Sequence, residues 1–87
     1  MAGELDDTSG IARYIQVAQL VERDIRAGVH LPGSVVPSVV QLSQTYGIAK
    51  TTASKAHQYL ADRGLVIAAP GVGMVVLPRS RWAAESS

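Results

Sequence analysis

The sequence predicts a mainly helical α+β domain, three helices followed by a C-terminal β-hairpin, and a few observations carry the prediction. Apolar residues recur at helical spacing from Ile11 to Ala27; a capping signal at Ser38 and glycines at positions 47 and 64 mark out two further helices; past Gly64 the apolar period shortens to that of strands. At 87 residues, 47% hydrophobic and 17% charged, the chain is sized for one small domain, and its apolar stretches are too short and too interrupted to cross a bilayer. It has no cysteine, so neither a disulfide framework nor a thiolate zinc site holds it together, and its stability must come from packing.

In the first helix Tyr14, Val17, Ala18, Val21 and Ile25 form one stripe, with Arg13, Gln16, Gln19, Arg23 and Arg26 largely off it. Thr8 or Ser9 is placed to cap its start. Gly28 and then Pro32 stop it, because glycine accepts the closing turn and proline cannot continue the hydrogen-bond ladder. Leu31-Pro32-Gly33 reads as a turn and Val35-Val36 as a short extended piece before Pro37. Ser38-Val39-Val40-Gln41 fits a capping box, in which the Ser38 hydroxyl accepts from an orphan backbone N–H and the Gln41 side chain reaches back to the N–H of Ser38. The second helix therefore begins here and runs to about Tyr46, where Gly47 ends it. Ile48 plugs the corner, and Lys50 to Arg63 gives a third helix with Ala53, Ala56, Tyr59 and Leu60 at helical intervals, closed by Gly64.

Leu65-Val66-Ile67-Ala68 and Met74-Val75-Val76-Leu77 are β-type runs flanking Ala69-Pro70-Gly71-Val72-Gly73, a loop whose Pro-Gly pair and second glycine suit a hairpin. The order helix, short strand, helix, tight turn, helix, hairpin is that of a winged helix-turn-helix, with the hairpin as wing. Residues 11–81 form the domain; residues 1–10 and 82–87, small or polar and without sustained periodicity, are expected to be flexible tails. A glycine-led corner of this kind sets the third helix to lie in a DNA major groove. Its leading residues Lys50, Thr51, Thr52, Ser54 and Lys55 are hydroxyls and amines with no carboxylate among them, so they can face phosphates and base edges without repulsion. The net charge is only +1, but Glu4, Asp6, Asp7 and Glu85 sit at the ends, and residues 11–81 carry +5.

An enzyme fails on inventory. Catalysis needs a positioned acid, base or nucleophile, and this chain offers no cysteine, two separated histidines and no paired carboxylates on structured elements, so no catalytic residue is assigned. Gly71-Val72-Gly73 lies between strands, not ahead of a helix, and so is no phosphate cradle. Glu4, Asp6 and Asp7 make no metal site on a tail without fixed geometry, and no cofactor or small-molecule effector site is evident. The acidic start lacks the basic-then-apolar order of a secretory signal, so a cytoplasmic protein is expected, and with DNA as partner a nucleoid-associated one.

Tyr14-Ile15-Gln16-Val17-Ala18, Ile25-Arg26-Ala27-Gly28, Leu31-Pro32-Gly33, Val36-Pro37-Ser38, Leu42-Ser43-Gln44-Thr45-Tyr46-Gly47-Ile48, Thr52, Lys55-Ala56, Leu60-Ala61-Asp62-Arg63-Gly64-Leu65-Val66 and Gly71-Val72-Gly73 together make the chain similar to the DNA-binding domain of the GntR (gluconate-repressor) family of bacterial transcription regulators. The resemblance runs from about Tyr14 to Leu77. It implies a repressor whose partner is double-stranded DNA, with the third helix as recognition helix, the second helix docked by its N-terminus on phosphate, and the wing at the minor groove. The residues it assigns to DNA are Ser38, Lys50, Thr51, Thr52, Ser54, Lys55, Gly71, Val72 and Gly73. It also implies a two-fold operator bound by a homodimer. The family normally adds a larger C-terminal effector-binding and dimerising domain, which is absent from these 87 residues.

The sequence departs from the family pattern at contacts that matter for DNA. Val39-Val40 stand where Glu-Arg is usual, Ser54 and Val72 stand where arginines are usual, and Ala49 replaces the serine that caps the third helix, a loss of about 1 kcal/mol. Lys50, standing for an arginine, keeps the charge but loses the planar fork that reads guanine bidentately. Weak, strongly salt-dependent binding by a single copy is the consequence. A second function stays open: a domain of this fold used mainly as a protein-interaction module, with Val39, Val40, Val72, Met74 and Trp82 as its surface. Adjacent valines cannot share one helix face, so at least one of Val39 and Val40 is exposed. His57, where the family usually has a core leucine, is expected half-buried and bonded to backbone; Arg79 and Arg81 either touch phosphate or stay solvated; Trp82 either packs on the first helix or anchors an interface.

Overall fold

Helix α1 (Arg13–Arg26) buries Val17, Ala18, Val21 and Ile25, the inner part of its apolar stripe, and leaves Tyr14 half-buried. Helix α2 (Val39–Tyr46) contributes Leu42, and α3 (Lys50–Asp62) contributes Ala53, Ala56 and Leu60. In this computed structural model, which describes Leu5 and residues 10–84, α3 is central: α1 and α2 pack against it, and β1 (Val66–Ala69) packs against it too. The alanines let neighbouring helices approach closely, and Ile25, Leu42, Leu60 and Leu65 fill the space they leave. Burying each of these large side chains contributes about 1.5–3 kcal/mol.

The capping box at Ser38 is present in full: the Gln41 amide donates to Ser38 Oγ at 3.1 Å and the Ser38 amide donates to Gln41 Oε1 at 2.8 Å. Gly47 ends α2 in the left-handed region at φ 64°, and Ile48 is buried behind it. At the end of α3 the Gly64 amide donates to Ala61 O at 3.0 Å and the Leu65 amide to Leu60 O at 3.1 Å, a Schellman closure around Gly64.

Several boundaries differ from the sequence reading. The cap at Thr8 or Ser9 lies outside the described residues; α1 begins after Ala12, whose side chain has no oxygen to cap with. Each strand is displaced by one residue, since Leu65 belongs to the closure of α3 and Gly73 to the ladder: β1 pairs antiparallel with β2 (Gly73–Val76), Val66 opposite Val76 and Ala69 opposite Gly73. The extended piece before Pro37 joins the other side of β2 through a Val35–Val75 bridge, with the Val36 amide donating to Met74 O at 3.0 Å and the Val76 amide to Ser34 O at 2.8 Å. The wing is thereby braced against the segment that leads into α2.

Trp82, Ala83 and Ala84, assigned to a tail from their composition, are held against the domain. A 3₁₀ turn (Arg79–Arg81) brings them there; Trp82 Nε1 donates to Leu77 O at 2.8 Å, and the Ala83 amide donates to Arg63 O at 2.8 Å. Glu22 organises the rest. Its carboxylate, 11% exposed, accepts from Arg26 Nε at 2.8 Å and from Arg63 Nε and Nη2 at 3.1 Å, and these guanidiniums in turn donate to Ala83 O and Ala84 O. The hydrogen bond to Glu22 pushes the Arg63 pKa further up. Arg79 and Arg26 stack on Trp82, at 4.7 and 5.6 Å from the ring centroid. Glu22→Ala is expected to cost about 2 kcal/mol, between the values for exposed and fully buried pairs, because it leaves two guanidiniums facing each other. Thermal unfolding measures this as a fall of about 8–16 °C, and replacing both arginines by methionine should abolish the effect of the Glu22 substitution.

Candidate nucleic-acid interface

The starts of α2 and α3 are both donor-rich and free of acid. Neither helix has an acidic residue in its first turn. At α2 the capping box uses the Ser38 hydroxyl oxygen and the Gln41 amide, leaving the first-turn amides of Val39 and Val40 with no carbonyl four residues back inside the helix. At α3 the N-cap Ala49 supplies no side-chain acceptor, so the opening amides of that helix are equally unsatisfied by a cap. Helix dipoles add partial positive charge at both places.

The side chains follow the same sign. Lys50, Thr51, Ser54 and Lys55 are exposed on α3, and Thr52 is half-buried. Among the described residues the ion pairs involve Arg23, Arg26 and Arg63, and none engages Lys50 or Lys55. Lys55 Nζ lies 6.0 Å from the Tyr14 ring centroid, a contact that leaves its charge intact.

The wing tip carries Gly71, Val72 and Gly73, all exposed, Val72 to 63%. Between the wing and the start of α2 runs an apolar groove of about 550 Å³, lined by Val36, Ser38, Val39, Val72 and Met74 among others, with His57 of α3 on its wall. Ser38 and the wing glycines thus share one groove, whereas Trp82 is engaged elsewhere with Arg26 and Arg79. Of the paired valines, Val39 is half-buried against the core and Val40 is exposed. His57 is buried, and its Nε2 meets Pro37 O at 2.8 Å, the backbone partner expected for it. Sequence reasoning missed the Glu22 cluster. The spacing of Glu22 and Arg26, four apart on one helix face, was a usable signal, but Arg63 lies 41 residues from Glu22 and only the fold brings it in.

A helical trio with a glycine corner, a braced hairpin and two acid-free helix starts defines a winged helix-turn-helix regulator domain. Residues 13–76 match the model for bacterial regulatory proteins of the gntR family, and the chain belongs to that family. The family is one of regulators and not enzymes, in agreement with the inventory of side chains. The HTH-type transcriptional regulator GgaR of Escherichia coli K12 is 37% identical over 60 residues, covering 69% of this chain and 24% of that protein. The chain spans less than a third of the length of such curated relatives, 24–30%. Among solved structures, YtrA of Sulfolobus acidocaldarius, a GntR-family transcription factor, superposes with a TM-score of 0.77 at 29% identity over 86% of this chain and 64% of that one. AraR(DBD) in complex with operator ORX1 gives a TM-score of 0.77 at 27% identity over 84% of this chain and 93% of that one.

Proposed function

We propose that this domain binds duplex DNA as the reading head of a repressor, with α3 in the major groove, the start of α2 on phosphate and the wing tip at the minor groove. Its DNA contacts are Ser38, Lys50, Thr51, Thr52, Ser54, Lys55, Gly71, Val72 and Gly73. Two copies occupy a two-fold operator in the cytoplasm, at the nucleoid. The observation that carries the reading is the exposed, acid-free opening of α3, where Lys50 and Lys55 are engaged by no carboxylate among the described residues. The solution of the similar AraR(DBD) with its operator supports it. A salt titration tests it. The two lysines predict that one copy loses about 12-fold in affinity between roughly 50 and 200 mM salt, from a slope of about 0.9 per phosphate neutralised. Flat binding over that range contradicts the proposal.

A second reading, a module for protein contacts, is favoured by the apolar groove beside the exposed Val72. Its surface is smaller than the sequence suggested, because Trp82 lies against its own domain, while Val39 is half-buried on the groove wall. Val72→Glu is the informative variant here: it should break partner capture under this reading and leave the fold intact, since Val72 lines the groove and is 63% exposed. Absence of any DNA binding at low salt would select this reading.

A further inference from the structure

We propose that His57 is a positioning residue for DNA binding, tying the start of α2 to α3; the inference rests on the DNA reading above and names a further residue on which it depends. His57 lies on α3 and is 9% exposed, yet it is polar and its ring nitrogen Nε2 sits 2.8 Å from the carbonyl oxygen of Pro37. A carbonyl only accepts, so Nε2 carries the proton and donates. Pro37 immediately precedes the N-cap Ser38, and the bond therefore grips the chain at the point where the phosphate-facing amides of α2 begin.

The segment before that end of α2 is braced to β2 through Val36, and His57 is what ties it to α3. Leu42 is the fully buried residue of the helix, one turn further on, while Val39 is only half-buried. Among the described residues the His57–Pro37 bond is the side-chain hydrogen bond joining α3 to the start of α2. The same imidazole lines the groove together with Gly73 and Met74 of the wing, so one side chain sits where α2, α3 and the wing converge. Side-chain packing sets the distance and crossing angle of two helices; a directional hydrogen bond adds a restraint on how the start of one sits against the other, which bears on whether amides on one helix and lysines on the other meet the same duplex.

The test compares His57→Leu, which keeps the volume and removes the donor, with His57→Gln, which keeps an N–H donor at a comparable reach. The probe is a duplex recovered by selection from random-sequence DNA, bound by the 87-residue chain. His57→Leu should weaken binding about 3- to 10-fold, the factor that one hydrogen bond supplies. Its thermal midpoint should hold, and hydrogen exchange should rise at the first-turn amides of α2. His57→Gln should recover most of the affinity. Equal affinity of His57→Leu and the unaltered chain overturns the inference and leaves the DNA reading standing, and so does a His57→Gln variant no better than His57→Leu. Failure of the unaltered chain to bind DNA at low salt removes the DNA reading itself and the inference with it.

Discussion

Replacing Lys50 and Lys55 together by alanine is expected to lower the affinity for duplex DNA about 60-fold at roughly 0.1 M salt, with no comparable loss of stability. The magnitude follows from counterion release. Each neutralised phosphate contributes a slope of about 0.9 in log affinity against log salt, which between about 1 M and 0.1 M is about 8-fold per contact. Two contacts multiply. Both side chains are exposed and engaged by no carboxylate among the described residues, so truncating them disturbs no buried group; the contact of Lys55 with the Tyr14 ring is a surface one. The decisive readout is the slope, which should fall by about 1.8 and carry the same loss on every DNA sequence, as phosphate contacts do. A double variant whose slope matches that of the unaltered chain would remove the opening of α3 from the interface.

Gly64→Ala is expected to destabilise the domain by about 4 kcal/mol, a fall in thermal midpoint of about 16–32 °C. Two separate costs combine. Gly64 sits at φ +74°, where an L side chain costs about 1–2 kcal/mol. In addition, a Cβ there would overlap the carbonyl oxygen of Arg81, which is backbone and held by the 3₁₀ turn and by the docking of Trp82 and Ala83. Gly47→Ala is the control. It has a similar φ of +64° with nothing within 4 Å of the added atom, so only the conformational cost applies, about 1 kcal/mol or 4–8 °C. Equal losses at the two glycines would show that the 3₁₀ turn does not rest on the end of α3 in solution.

The helices were legible because each is a local statement. The stripe of α1, the reciprocal pairing of Ser38 and Gln41, and the glycines that end α2 and α3 all act within a few residues, where spacing and side-chain chemistry suffice. The opening of α3 was legible for the same reason: Lys50 to Lys55 follow the corner directly, and an amphipathic helix with Ala53 and Ala56 inward leaves them outward. Strand ends were off by one because Leu65 serves α3 and the ladder at once, and only the tertiary hydrogen bonds apportion it.

By itself, then, the chain's order of residues determined the element sequence, the core stripes and the basic, acid-free start of the third helix. What only the tertiary structure decided was how distant pieces meet: Glu22 with Arg63, His57 with Pro37, Arg81 with Gly64. The physical reason is one of range. Capping, periodicity and turn chemistry operate over about one helical turn, whereas a buried carboxylate or imidazole chooses its partner from whatever the packed core delivers to it.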